Sequence, residues 1–193
     1  MSSFVWYYNI IQKHFPQIIF QNLCYNRFKY SMIDSQQHHD SNFLRQIIQP
    51  GLLGLMDGSV STLAPLFATA FATHNPHIAF LVGLSAATGA GISMAFAEGL
   101  SDSGELTGRG HPFMRGSITG GMTFLGGIFH TLPFLLANLN SALYWAYIVV
   151  GVELVIIAYV RYHYLKMNFW ISCLQVVVGG VLVFLSGFFI GSA

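Results

Sequence analysis

The sequence predicts an all-α integral membrane bundle of five transmembrane helices. Only 8% of the 193 residues are charged and 54% are hydrophobic, whereas soluble domains carry about 25% charged residues. Mostly apolar runs of about 20 residues are long enough to cross a bilayer, and five occur, at about 51–73, 78–100, 117–137, 142–160 and 169–191. We therefore assign residues 45–193 to a five-span domain and residues 1–44 to a cytoplasmic or interfacial arm.

The positive charges predict how this bundle is oriented. Cytoplasmic loops of membrane proteins carry an excess of Lys and Arg. The basic residues all fall before the first span, between spans two and three, or between spans four and five: Lys13, Arg27, Lys29, Arg45, Arg109, Arg115, Arg161 and Lys166. We therefore expect a cytoplasmic N-terminus and an external C-terminus. We also expect the protein to interact with the lipid bilayer and not with nucleic acid.

The first span contains a carboxylate, Asp57. An acid at the centre of a bilayer costs about 2.5 to 3.5 kcal/mol on insertion scales, so such residues usually face a cavity, a partner or an ion. Pro65 cannot donate a backbone hydrogen bond and frees the carbonyl of Ser61, one turn after Asp57 on the same face. We interpret Asp57 as a site of metal binding and proton exchange, with a buried polar contact between helices as the alternative.

The second span combines a packing surface with candidate ligands. Small residues recur every four positions from Gly83 to Gly99, and such a stripe lets another helix approach closely in lipid. The neighbouring row places Met94 one turn before Glu98 on one face. We interpret Met94 as a soft metal ligand, with packing as its alternative, and Glu98 as a metal-binding acid at the cytoplasmic end.

A glycine-rich loop, residues 101–115, follows the second span. Asp102, Glu105 and His111 supply oxygen and nitrogen ligands of the types that bind divalent metals. They are candidates for a cytoplasmic metal entrance. The alternative is a capped turn between two spans with solvated charges.

The third and fourth spans each contain one ionisable group in apolar surroundings. His130 is in four-residue register with Met122, and Pro133 frees the carbonyl of Phe129. We expect His130 to be a hydrogen-bonded core residue, with proton relay as the alternative. Glu153 lies in the middle of the fourth span, and either a structural hydrogen bond or a proton-carrying site accounts for it.

Together these residues supply oxygen, sulfur and one imidazole nitrogen. A site that combines thioether and imidazole groups with carboxylates favours a divalent transition metal such as ferrous iron. Met56 and Met122 are further pathway candidates, although core packing accounts for either one. Carboxylates bind metal only when deprotonated, so metal and protons compete for the same oxygens. We therefore predict that the protein exchanges a transported metal for protons. Asp57, Glu98 and Glu153 are the candidates for proton exchange. We expect no permanently bound cofactor.

Several segments resemble the vacuolar iron transporter family. They are MDGSVS at 56–61, GISM at 91–94 and GGIFHTLP at 126–133. The segments AEGLSD at 97–102 and TGRGHP at 107–112 are most similar to the membrane domain of that family's bacterial branch, the membrane-bound ferritins. The resemblance extends over about residues 45–193 and all five spans.

The resemblance implies a homodimer of five-helix protomers, joined through the first spans, that exports ferrous iron and sometimes manganese from the cytoplasm in exchange for protons. It implies a pathway between protomers that uses an acid of the first helix and a methionine of the second. Those positions correspond here to Asp57 and Met94. Glu98 corresponds to an acid found in some branches. The bacterial likeness implies a bacterial inner membrane.

The chain also departs from the family pattern. Ala86 stands where eukaryotic members have an acid, eight residues before the methionine that corresponds to Met94. The long acidic cytoplasmic domain between spans two and three is reduced to a short loop. Residues 1–44 contain only Asp34 and Asp40 as acids, too few for a ferritin-like di-iron bundle. A separate ferritin-like protein is therefore an expected partner.

Two other functions stay open as hypotheses. A non-transporting membrane interaction module, or a truncated relative whose partner captures the metal, predicts no metal flux and tolerance of Asp57→Asn. A membrane-bound enzyme has the weakest support, because no nucleophile lies beside a base in these patterns. The sequence favours a secondary active transporter over an enzyme.

Overall fold

The computed structural model describes residues 41–105 and 107–193, so most of the predicted arm at 1–44 lies outside the described residues. Asn42–Ala193 forms one compact unit. The expected all-α fold is confirmed for the described part of the chain. Its elements are a π-helical turn Leu44–Ile48, α1 (Gln49–Ser61), α2 (Leu63–Thr73), α3 (Pro76–Gly99), α4 (Pro112–Phe129), a 3-10 helix Leu132–Leu135, α5 (Leu139–Leu165) and α6 (Phe169–Ser192).

Four of the described helical segments are long and apolar enough to cross a membrane: Ser41–Thr73, Pro76–Gly99, Leu139–Leu165 and Phe169–Ser192. The predicted third span differs most from the structure. Its helix, α4, begins at Pro112 and ends at Phe129, and the chain around Pro133 forms a separate 3-10 helix. α4 is less apolar because it packs against α1 and α3 through glycines, threonines and a buried arginine.

Asparagine side chains start three of these helices. Oδ1 of Asn75, Asn138 and Asn168 accepts hydrogen bonds of 2.9 to 3.4 Å from first-turn N–H groups of α3, α5 and α6. Such side chains satisfy backbone donors that have no partner inside the helix. The preceding helices α2 and α5 are followed by His74 and Lys166, whose backbones are in the left-handed conformation. These short connections make α2 and α3, and likewise α5 and α6, adjacent helices.

The first span is interrupted where its proline predicts. α1 ends at Ser61 and α2 begins at Leu63, with Thr62 between them at φ −87° and ψ −18°. Pro65 follows directly and cannot donate a helical hydrogen bond. The interruption directs the buried side chain of Thr62 into the bundle, where it contacts His130.

The glycine stripe of α3 packs closely against another helix, as the sequence predicts, and that helix is α4. A Cβ atom added to Gly91 would lie 3.0 Å from the carbonyl oxygen of Gly120, and one added to Gly120 would lie 2.6 Å from Cβ of Ala95. Such close approach is characteristic of small-residue interfaces in membranes. The two helices are thereby held nearly backbone to backbone.

An aromatic cluster joins α2, α5 and α6 at the other side of the bundle. The ring of Phe67 is fully buried, stacks on Tyr147 at a centroid distance of 5.4 Å and meets Phe184 edge-on at 5.1 Å. Buried Leu63, Leu66 and other apolar side chains surround it. This packing fixes α5, and therefore Glu153, relative to the first span.

We expect Gly58→Ala to destabilise the bundle by about 1 to 3 kcal/mol or more, as overpacking does. A Cβ atom at Gly58 would overlap the carbonyl oxygen of Thr123, so α1 and α4 would have to separate. The matched control is Gly89→Ala on α3, where an added Cβ meets nothing within 4 Å and alanine gains about 0.5 to 1 kcal/mol over glycine in a helix. Denaturant unfolding in mixed micelles measures both. Equal stability of the two variants would contradict the packing described.

Candidate functional site

Asp57 lies on the outward-facing side of α1. Gly54 and Gly58, on the adjacent side of the helix, are buried against α4. One turn to either side of Asp57, Leu53 is 44% exposed and Ser61 is exposed. The Asp57 carboxylate is half-buried and has no hydrogen-bond or ion-pair partner among residues 41–105 and 107–193.

The three candidate methionines have different surroundings. Met94 is half-buried on α3, beside the glycine stripe. Met56 packs against the apolar cluster formed by α1, α5 and α6. Met122 lies at the interface of α1 and α4, next to Gly51 and Gly54. The packing alternative therefore accounts for Met56 and Met122, whereas the ligand role of Met94 stays a prediction.

Glu98 is held by two guanidinium groups. Its Oε1 lies 2.7 Å from Nε of Arg115 and also pairs with Nη2 of Arg109. The side chain of Arg115 is fully buried and that of Glu98 is 9% exposed, whereas that of Arg109 is 34% exposed. A metal ion that used Glu98 would therefore displace the outer arginine, Arg109, more readily than the buried one.

Arg115 also closes the C-terminal end of α3. Its Nη2 donates to the carbonyl oxygen of Glu98 and to Oγ of Ser101, both at 2.9 Å, and to the carbonyl oxygen of Asp102 at 3.3 Å. The last carbonyls of a helix have no intrahelical partner and need such donors. Sequence reasoning treated Arg115 only as a cytoplasmic charge. The nearby acids Glu98 and Asp102 are the sequence feature that could have indicated their pairing with Arg115.

Asp102 organises the loop between α3 and α4. Burial by itself would raise the pKa of the Asp102 carboxyl, but the N–H of Gly104, the hydroxyl of Thr107 and the charges of Arg115 and Arg109 together hold that pKa below its ordinary value. The stabilisation from these contacts is therefore present at neutral pH. It is lost only as the pH falls through this lowered pKa.

The three residues of the predicted entrance have separate roles in the structure. Asp102 is engaged with the two arginines. Nδ1 of His111 accepts a hydrogen bond of 3.2 Å from the N–H of Phe113 and caps α4, and Glu105 is exposed. The capped-turn alternative describes His111. Within residues 41–105 and 107–193, no group of three His, Cys, Asp or Glu side chains is placed to hold a metal ion.

His130 is a buried histidine with a partner at each ring nitrogen. Its Nδ1 lies 3.0 Å from Oε2 of Glu153, and its Nε2 lies 2.6 Å from Oγ1 of Thr62. Thr62 in turn donates to the carbonyl oxygen of Gly58 at 2.8 Å. The structure thus brings together the two ionisable groups predicted in the third and fourth spans. Thr62 was not predicted, since its partner His130 is distant in sequence.

A groove of about 750 Å³ runs along the 3-10 helix and α5. Its walls are apolar except for Glu153, whose side chain is 7% exposed and whose Oε1 has no hydrogen-bond partner. An unpaired carboxylate oxygen can take a proton or accept a hydrogen bond from water. The lining residues are Phe129, Leu132, Pro133, Leu135, Leu136, Trp145, Ile148, Val149, Val152, Glu153 and Ile156.

Comparison with protein-family models gives a match. The VIT family model matches residues 97–192, about half of the chain. The match includes Glu98 with its partners Arg109 and Arg115, and also His130 and Glu153. Asp57 and Met94 precede it. No curated protein and no solved structure matches the chain.

Proposed function

The chain belongs to the VIT family, and we propose on that premise that it exports a divalent transition metal, ferrous iron or manganese, from the cytoplasm in exchange for protons. The four long apolar helices and the family indicate an integral membrane protein. Family membership also favours a transporter over an enzyme. The metal, its direction and the coupling to protons are our inferences.

The observation that supports this proposal most directly is the unpartnered carboxylate of Asp57. An acid in a lipid-facing position is costly, and the outward stripe of α1 contains no compensating group among the described residues. A second protomer that packs its own α1 against this stripe would remove both carboxylates from lipid. We therefore propose a homodimer joined through the first spans, with Asp57 of each protomer at the interface.

At such an interface, Asp57 would bind the metal in its deprotonated form and take up protons once the metal leaves. Met94 would add a soft ligand that favours ferrous iron over magnesium or calcium. Glu98 would act at the cytoplasmic end, where its partner Arg109 is partly exposed. Glu153 is the further candidate for proton exchange. We place the protein in a bacterial inner membrane, with its N-terminus cytoplasmic, its C-terminus external and a separate ferritin-like protein as metal donor.

The test is metal flux in proteoliposomes with an imposed pH gradient, measured for ferrous iron and for manganese. We expect flux that follows the proton gradient and weakens when the gradient is collapsed. Met94→Leu keeps the side-chain volume and removes the thioether, so it should reduce flux of ferrous iron more than flux of manganese. Met114→Leu is the matched control, because Met114 lies exposed on α4 and outside the proposed pathway.

The competing hypothesis is a membrane module that depends on a partner for metal capture. The absence of a three-ligand metal cluster in the described residues is the observation in its favour. It predicts no flux of either metal from verified, folded protein. Flux of either metal driven by the proton gradient would exclude it.

A further inference from the structure

We propose that Glu153 and His130 form a second proton-binding site, separate from Asp57, in which the Thr62 hydroxyl completes the hydrogen bonding of the pair. The role of this site in metal exchange rests on the proposed function, whereas its capacity to bind a proton does not. The sequence indicated Glu153 and His130 as separate candidates. Their connection is a property of the fold.

Three contacts define the site. His130 Nδ1 meets Glu153 Oε2 at 3.0 Å, His130 Nε2 meets Thr62 Oγ1 at 2.6 Å, and Thr62 Oγ1 meets the carbonyl oxygen of Gly58 at 2.8 Å. His130 and Thr62 are fully buried and Glu153 is 6% exposed. The chain of contacts therefore runs from α5 through the end of α4 to the residue that follows Asp57.

Counting hydrogens identifies the protonation state that satisfies all three contacts. The Thr62 hydroxyl has one hydrogen. If that hydrogen is donated to Gly58, then Nε2 of His130 must be the donor in its contact with Thr62. The contact between Nδ1 and Glu153 needs a second hydrogen. The pair then has no net charge, as imidazolium with carboxylate or as imidazole with carboxylic acid.

Loss of one proton leaves the pair with one negative charge and requires only one rearrangement. The Thr62 hydroxyl turns from the Gly58 carbonyl to Nε2 of His130, while Nδ1–H donates to the Glu153 carboxylate. Both ring nitrogens keep their partners, and only the bond from Thr62 to Gly58 is broken. The two states therefore differ by one proton and the rotation of one hydroxyl, without movement of a helix.

Glu153 lies beside the apolar groove, and its Oε1 is buried without a hydrogen-bond partner. No lysine or arginine among the described residues pairs with it, so a bound proton is the neutralising charge. The helices that carry or pack against the pair hold other titratable side chains, and none of them is hydrogen-bonded to the pair. They are Asp57 on α1, His77 and Glu98 on α3, Tyr144, Tyr147, Tyr159, Tyr162, His163 and Tyr164 on α5, and Cys173 on α6.

Infrared difference spectroscopy of the reconstituted full-length protein, recorded while the pH is stepped, tests the site without metal. We expect a carboxyl or imidazole signal that is lost in Glu153→Gln and retained in Asp57→Asn. Thr62→Val should shift the frequency of that signal. Thr123→Val is its matched control, because Thr123 is equally buried and donates to the Thr119 carbonyl without touching a titratable group.

A Glu153→Gln spectrum identical to that of the wild type would overturn the proton site, and an unshifted Thr62→Val spectrum would overturn the role of the hydroxyl. Should Glu153→Gln fail to fold, Thr62→Val decides the site as well. A signal shifted in Thr62→Val but not in Thr123→Val assigns that signal to the pair, and no shift then overturns the whole proposal. Simultaneous metal and proton fluxes test the coupling: fewer protons per metal ion in Glu153→Gln supports it, and an unchanged ratio refutes it. Absence of wild-type metal flux would refute the proposed function, while the spectra would still decide the proton site.

Discussion

Asp57→Asn is expected to reduce gradient-driven metal flux at least about tenfold, which corresponds to about 1.36 kcal/mol or more in the barrier. Asparagine preserves the size of the side chain but cannot be deprotonated, so it removes the negative charge that binds metal and the group that takes up a proton. Because the carboxylate has no hydrogen-bond or ion-pair partner in the described part of the chain, the substitution leaves no cation unpaired there.

The same feature separates a transport defect from a folding defect. We expect Asp57→Asn to unfold at the same denaturant concentration as the wild type or a higher one, since a costly charge is removed from an apolar helix. Asp57→Glu retains the carboxylate and should retain measurable flux. Wild-type flux in Asp57→Asn would remove Asp57 from the mechanism and favour the buried polar contact that the sequence also allowed.

Glu98→Gln is expected to destabilise the protein by about 3 to 5 kcal/mol, the usual cost of removing one member of a buried ion pair. Arg115 is fully buried and its Nε lies 2.7 Å from Glu98, so the amide leaves a desolvated guanidinium without its nearest counter-charge. The effect should be visible as a lower denaturant midpoint and a lower thermal midpoint in micelles.

Arg109→Gln is the matched control in the same cluster. The side chain of Arg109 is 34% exposed, and exposed ion pairs contribute about 0 to 1 kcal/mol. Its stability should therefore stay close to that of the wild type. A Glu98→Gln protein as stable as the Arg109→Gln protein would show that the buried pair does not hold the ends of α3 and α4 together.

Much of the fold follows from local patterns in the sequence. Apolar runs of membrane-crossing length predict the helices. The stripe from Gly83 to Gly99 correctly predicts close packing by another helix, and the structure identifies that helix as α4. The prediction of the third span was less accurate. Pro133 places the end of the predicted span in a separate 3-10 helix. A helix that packs between neighbouring helices exposes little surface to lipid, so it needs fewer of the apolar residues by which a span is recognised.

The sequence by itself determined the helical membrane class, the family resemblance and the chemical types available for metal and protons. Only the tertiary structure decided which groups meet: Glu98 with Arg115, and His130 with Glu153 and Thr62. The physical reason is that an ionisable group in a low-dielectric interior is governed by its immediate partners, and those partners are supplied by helices that are distant in sequence.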